Sequence, residues 1–423
     1  MANRSASNEI EHAQVRQHRA PLLTETRVFH TLDGMRGVAA IAVALLHTPS
    51  FTQVPWFGAK DALQCAFLGV DLFFVLSGFV IAHAYEQRLL AGMRLTTFLK
   101  FRAHRLAPLY ILGLAMAVAQ IAASRLVHAN VWTPADLAIV ALGALVLVPV
   151  PIFGLHQVLY LLNPATWTLT AEMLVNLFYA LTARHLTTGR LMGLCATAAA
   201  VLLWVAWRFQ SIDLGISWLQ FPAGVARAVY GFCAGVLMFR LYRNRPLAKA
   251  SSGWIWMGLL LALLLAPLNG PWLAPYELVC ALLVFPLLVY LAASSAVGAV
   301  GQKVCGSAGT ASYALYILHT PIGRTAVLVA SVLHWSLAND IAAASLMVAF
   351  IALSWAADVW YDRPIRRWIK WIDRLPPPST GPTRSGAYSF ATDRRSALTI
   401  TLTDDKAMAA AAIWGDRSQP NIG

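Results

Sequence analysis

The chain has 423 residues, of which 58% are hydrophobic and only 12% charged. A soluble protein carries roughly 25% charged residues, so a water-exposed globule, a disordered chain and a coiled coil are all excluded. The net charge of +13 does not point to nucleic acid, because Lys and Arg gather between apolar blocks of near-spanning length and no nucleic-acid-binding motif accompanies them.

In chain order, residues 1–30 are polar and mixed in charge, and are expected to form a flexible cytosolic arm. They lack the apolar core of a cleavable signal peptide, so the first span is expected to serve also as the targeting signal. Apolar blocks follow at 36–50, 68–87, 106–124, 137–151, 167–183, 191–208, 224–241, 254–268, 275–293, 312–333 and 341–361. Crossing a bilayer takes about 20 such residues in a helix. Basic stretches at 88–105, 240–249 and 363–370 are expected on the cytoplasmic side. Eleven crossings would put the two flanks on opposite sides, whereas both read as cytoplasmic. The short block at 137–151, with Pro149 and Pro151, is therefore the one expected not to cross. The prediction is an all-α polytopic membrane protein, a bundle of about ten transmembrane helices around a polar inner cavity. Residues 31–370 form its membrane domain, and 371–423, opening on Pro376, Pro377 and Pro378, a disordered tail. No internal repeat of the kind that marks many transporters is present. The five cysteines, Cys65, Cys195, Cys233, Cys280 and Cys305, lack metal-ligand spacing and read as packing residues, so no metal is expected.

Ionisable side chains inside apolar blocks cost at least about 2.5–3.5 kcal/mol each on insertion scales, which makes them functional candidates. The first block opens Asp33-Gly34-Met35-Arg36 and ends at His47. Arg36 and His47 lie close to three helical turns apart, on one face and separated by about 16 Å. Asp33 is placed to pair with Arg36. The plainer readings are a snorkelling arginine and a histidine bonded to a neighbouring helix. In the second block Asp71 is positioned to meet a histidine or arginine of the first, and Ser77 reads more readily as a packing residue than as a nucleophile. Arg102 and Arg105 project from one helix face as two planar forks suited to phosphate oxygens, or serve only as topology determinants. Trp167-Thr168-Leu169-Thr170-Ala171-Glu172 places a carboxylate in an apolar helix, with Thr168, Glu172, Asn176 and Tyr179 forming a polar stripe. Ser312, Tyr316 and His319 form another. Either stripe alone reads as interhelical glue; together they are expected to line a shared cavity.

These residues resemble the integral-membrane acyltransferase-3 family of bacterial O-acyltransferases that modify surface glycans. The resemblance rests on Leu32-Asp-Gly-Met-Arg-Gly37 with His47, on Gly69-Val-Asp-Leu-Phe-Phe-Val-Leu-Ser-Gly-Phe79, and on Arg102-x-x-Arg105. It continues through Trp167-Thr-Leu-x-x-Glu172, Ser312-Tyr-Ala-Leu-Tyr-Ile-Leu-His319 and Asp362-Arg-Pro364. It implies roughly ten spans in the bacterial inner membrane, with both termini cytoplasmic. It also implies an acyl-CoA donor, usually acetyl-CoA, and a glycan or glycolipid acceptor. Family membership further implies that His47 and Arg36 are required for activity, with Arg102 and Arg105 at the donor site. Asp71 or Glu172 is expected to hold His47 as the general base, and Ser77, Trp167, Tyr316 and His319 to border the substrate. Direct transfer and an acyl-enzyme both remain open. Met173-Leu-Val-Asn176 is less polar than the run common in relatives, which suggests a different acceptor cavity. The tail is too short for the esterase-like domain that some relatives carry. Two other classes fit a polar-lined bundle: a transporter of acyl groups or glycans, and a structural subunit of a glycan export complex. The transporter gives no reason for paired arginines at one mouth.

Overall fold

The computed structural model describes residues 28–55, 63–127, 132–152, 158–245, 247 and 251–372. The expected cytosolic arm up to residue 27, and the expected tail from residue 373, lie outside the described residues. The described residues up to 370 form one compact unit; of a second unit, only residues 371 and 372 are described.

Each of the eleven apolar blocks contains a helix. In chain order these are α1 His30–His47, α2 Gln64–Leu90, α3 Leu95–Val127, α4 Pro134–Leu145, α5 Thr166–Thr182 and α6 Thr188–Phe209. They continue with α7 Phe221–Asn244, α8 Gly253–Leu264, α9 Gly270–Ala293, α10 Ala299–Val332 and α11 Asp340–Ile372. The described residues hold no β-sheet, only two isolated bridges.

Among the described residues, seven helices (α2, α3, α6, α7, α9, α10 and α11) are long and apolar enough to cross a membrane. This corrects the expectation of about ten full spans, and the reasons are local. Helices α4 and α8 have 12 residues each, about 18 Å of helix against a hydrocarbon core of about 30 Å. Helix α5 has 17 residues. Helix α1 has 18 but devotes its first turns to Asp33 and Arg36 and its end to His47. Apolar composition alone does not separate a lipid-facing span from a helix buried in protein. Helix α1 is of the buried kind: Met35, Ala39 and Ala42 have no exposed surface, and it packs on α2, α8, α9 and α10.

Two close helix contacts set the frame, and both depend on small residues. Along α1 and α10, a Cβ added at Gly37 would stand 2.7 Å from the Ala308 Cβ, and one at Gly309 would stand 2.5 Å from the Asp33 Cβ. Along α2 and α7, a Cβ on Gly78 would come within 2.0 Å of the Phe232 carbonyl oxygen, and one on Gly235 within 2.1 Å of the Val75 oxygen. These approaches bring the polar residues of α1, α2, α7 and α10 into one interior.

Between α6 and α7 runs a loop, residues 210–220, that dips back into the protein. Glu277 of α9, fully buried, holds it: one carboxylate oxygen accepts the Ile212 N–H at 2.8 Å and the other the Ser211 hydroxyl at 3.1 Å. Gly215 turns the loop at φ +138, a conformation that L side chains rarely adopt, and a Cβ there would also strike the Trp167 ring at 2.6 Å.

Gly78→Ala forces α2 away from the backbone of α7. The expected result is a lower melting temperature in detergent, by several degrees, and a reduced yield of folded protein, since overpacking typically costs about 1–3 kcal/mol. Gly258→Ala, with nothing within 4 Å of the added methyl, is the control and should be neutral or stabilising. Equal melting temperatures for Gly78→Ala and wild type would refute the close α2–α7 approach.

Candidate active site

Two chambers lie in series inside the bundle. The smaller, about 190 Å³, is lined by the first turns of α1, the start of α3, the middle of α5, α2 from Val70 to Ile81, the N-terminal half of α10 and the break in α11. The larger, about 650 Å³, takes the end of α1, the later turns of α3, the start of α5, the 210–220 loop, Arg227 of α7 and the C-terminal half of α10. Helices α1, α3 and α10 thus run from the small chamber to the large one, and α2 and α5 run the other way.

Four arginines (Arg36, Arg102, Arg105 and Arg366) and three carboxylates (Asp33, Glu172 and Asp362) line the small chamber. Most of this charge is paired. One Glu172 oxygen accepts from Arg102 Nη2 at 2.6 Å and from the Ser77 hydroxyl at 2.7 Å. Asp33 lies 3.5 Å from Arg36, and Asp362 pairs with Arg366 one helical turn on. Asp362 closes a π-helical turn, Asp358–Asp362, that turns α11 towards the chamber. Arg105 makes no ion pair among the described residues, so it is the cation this arrangement leaves over. An arginine with no ion pair of its own among the described residues, flanked by two others, suits an oxyanion.

In the large chamber His47 and His319 stand ring to ring, with centroids 5.0 Å apart. His47 Nδ1 lies 2.8 Å from the Val43 carbonyl. A carbonyl only accepts, so the neutral ring carries its proton on Nδ1 and keeps a lone pair on Nε2, the nitrogen a general base uses. His319 is tied down on both sides: Nδ1 donates to the Tyr316 carbonyl at 2.7 Å, and Nε2 lies 3.2 Å from the Thr320 hydroxyl. Trp167 forms part of the wall, together with apolar residues such as Val43, Phe67, Leu214 and Val327.

Val70 and Tyr316 line both chambers and so mark the boundary between them. Thr168 donates to the Ala165 carbonyl at 3.0 Å, which leaves the Tyr316 hydroxyl to donate to Thr168 Oγ1 at 2.7 Å. The ring of Phe73 meets Tyr316 edge-on at 5.6 Å. The stripe Ser312, Tyr316 and His319 therefore runs from one chamber, through the partition, into the other.

The structure corrects the expected partners of His47. Asp71 lines neither chamber; both its oxygens accept from Arg227, from Nε at 2.9 Å and from Nη2 at 2.7 Å. The glycine contacts that press α2 on α7 turn this carboxylate towards α7. Glu172 serves Arg102 and Ser77 in the small chamber, so it does not orient His47 either. The stripe on α5 divides: Thr168 and Glu172 reach the small chamber, whereas Asn176 and Tyr179 are buried elsewhere, Tyr179 against Phe232 at 5.4 Å.

The carboxylate that shares the large chamber with His47 is Asp213, on the 210–220 loop and 3.6 Å from Arg227 Nη1. Its side chain is 57% exposed where it borders the cavity. The protein packed around it nevertheless raises its carboxyl above the ordinary range, outweighing the opposing pull of Arg227 and His47. Arg227 itself is 1% exposed and lies between the rings of Phe67 and Trp167, at 5.2 and 5.7 Å. Arg227 and Glu277 are ionisable residues inside apolar blocks, so the criterion that singles out Glu172 would find them too. Arg324, inside the block 312–333, carries the same signal; Asp213 and Arg366 do not, because they reach the chambers only through the fold.

The acyltransferase-3 model, described as an acyltransferase domain, matches residues 29–359. The chain belongs to the acyltransferase-3 family. A curated protein from Rhizobium radiobacter, "Protein 2 in picA locus", is 36% identical over 191 residues, covering 43% of this chain and 96% of that protein. No solved structure matches. The family match takes in α1 to α10 and most of α11, hence nearly every residue of both chambers.

The Asp71–Arg227 pair makes a prediction in this acyltransferase. Arg227→Met leaves a buried carboxylate alone and should cost about 3–5 kcal/mol, read as a sharp drop in melting temperature. Adding Asp71→Leu removes the orphaned charge and should recover much of that loss. If the double variant is as unstable as the sum of both single ones, the two side chains are not energetically coupled.

Proposed function

We propose that this acyltransferase moves an acetyl group from acetyl-CoA to a hydroxyl of a cell-surface or secreted glycan. It would work in the bacterial inner membrane, taking its donor from the cytoplasm, where both termini reside. The observation that carries this reading is the meeting of an arginine-lined chamber with a histidine-bearing one at a single tyrosine. The first suits a phosphate-bearing donor. The second, about 650 Å³, falls in the size range of small-molecule sites and offers the aromatic wall of Trp167 to a sugar.

In this reading Arg105, with Arg36 and Arg102 beside it, holds the donor phosphates. Acetyl-CoA supplies the acyl group as a thioester. Arg36 and His47 are eleven residues apart on α1, about 16 Å along its axis, a distance for an extended phosphopantetheine arm to bridge past Tyr316. His47 Nε2 takes the proton from the acceptor hydroxyl. That oxygen bonds to the thioester carbonyl carbon, the C–S bond breaks, and the coenzyme leaves as a thiolate that recovers the proton from the imidazolium. His319 packs against His47 and fixes the plane of its ring, and Asp213 balances the charge that His47 acquires.

His47→Ala should lower acetyl transfer by about 10²- to 10⁴-fold, the usual worth of a positioned general base, while the protein keeps its place in the membrane. Arg105→Gln should raise the KM for acetyl-CoA and leave kcat nearly unchanged, because it removes binding common to ground and transition states. Both are read by thiol-detected coenzyme A release from purified membranes and by mass spectrometry of the cellular glycans. Unchanged glycan acetylation in His47→Ala would remove the histidine from the mechanism.

A further inference from the structure

Beyond His319, α10 continues along the wall of the large chamber with Thr320 and then Arg324. Arg324 Nη1 donates to the carbonyls of Leu161 and Leu162, at 3.0 and 2.8 Å. A guanidinium has five N–H groups, so Nη2 and Nε remain, and Arg324 has no carboxylate partner among the described residues. The contrast within the chamber is sharp. Arg227, its other arginine, is held by both oxygens of Asp71 and has Asp213 beside it. Arg324 is half-buried, and its surroundings include Val327 and Leu328. An uncompensated cation in such a wall is costly unless water or a ligand meets it. It stands five residues past His319 on the same helix, a little over one turn, about 7.5 Å along the axis.

We propose that Arg324 anchors an anionic group of the acceptor, so that the enzyme acylates acidic glycans, bearing a carboxylate or a phosphate, in preference to neutral ones. The proposal rests on the acyl-transfer reading above and adds the chemical class of the acceptor. Two of the guanidinium's N–H groups clasp the chain between α4 and α5, which fixes the fork. Its free edge then pairs with an oxyanion while a hydroxyl on the same or the adjoining sugar reaches His47. Arg324 acts on binding and orientation and takes no part in the chemical step.

The test uses purified full-length protein in lipid nanodiscs, radiolabelled acetyl-CoA, and deacylated glycans from the host cell separated by anion exchange into neutral, carboxylate-bearing and phosphate-bearing fractions. Label in an acidic fraction, with little in the neutral one, supports the proposal, and the fraction identifies the anion. In that fraction Arg324→Gln should raise the acceptor KM about 10- to 100-fold, the loss expected for charge-assisted hydrogen bonds, and leave kcat nearly unchanged. Arg324→Lys, which keeps the charge but loses the fork, should recover part of that affinity. It also serves as the informative variant if Arg324→Gln does not fold. Equal labelling of the neutral fraction, or an acceptor KM that neither variant changes, overturns the role of Arg324 and leaves acyl transfer standing. No label and no coenzyme A release with any fraction overturns the acyl-transfer reading, and the anchor with it.

Discussion

The organisation of this protein follows from the expense of placing charge inside a bundle that lies in lipid. Every ionisable group in the interior needs an opposite charge, a hydrogen-bonding partner or an aqueous cavity. Asp71 and Arg227 meet the requirement by pairing, with side-chain exposures of 5% and 1%. Glu277 meets it by accepting from a loop that would otherwise be free to leave the core. Arg105 meets it by facing a cavity, and Arg324 by giving Nη1 to two backbone carbonyls while it lines the other cavity with the rest of its fork uncommitted. The same constraint thus divides the charged residues into those that hold the fold and those available to a ligand.

That division fixes the shape of the site. The Asp71–Arg227 pair joins α2 to α7, and Arg227 in turn carries the aromatic ring of Trp167 and the carboxylate of Asp213 on the wall of the larger chamber. The glycine contacts between α1 and α10 put Arg36 with Ser312 in one chamber and His47 with His319 in the other. Tyr316 and Thr168 meet between them through one hydrogen bond. A partition of two hydroxyls and an aromatic edge can open by rotation of side chains, without moving a helix. Two polar spaces can then stay separate until a substrate joins them.

Much of the fold is legible in the chain itself. All eleven apolar blocks contain helices, because a long apolar run in lipid satisfies its backbone only in that way. The motif residues Arg36, Arg102, Arg105, Glu172 and Tyr316 do share one cavity, since ionisable residues in apolar helices turn away from lipid towards one another. What misled was the equation of an apolar block with a crossing. Helix α1 is shielded by protein, and α4 and α8 are 12 residues long, so hydropathy counts them alike although their surroundings differ.

Composition and the helical repeat alone make the protein helical and membrane-embedded and set which helix faces carry polar side chains, and the motifs between Leu32 and Pro364 carry the resemblance to the acyltransferases. Which charge meets which depends on the packing of the helices. Asp71 is nearer in sequence to His47 than to Arg227, yet the glycines of α2 and α7 bring together residues 156 positions apart. Asp213 and Arg324 gain their places in the chamber through a loop held by Glu277 and a helix that runs past His319. Pairing depends on distance and orientation in space, and neither is written in the local pattern of the chain.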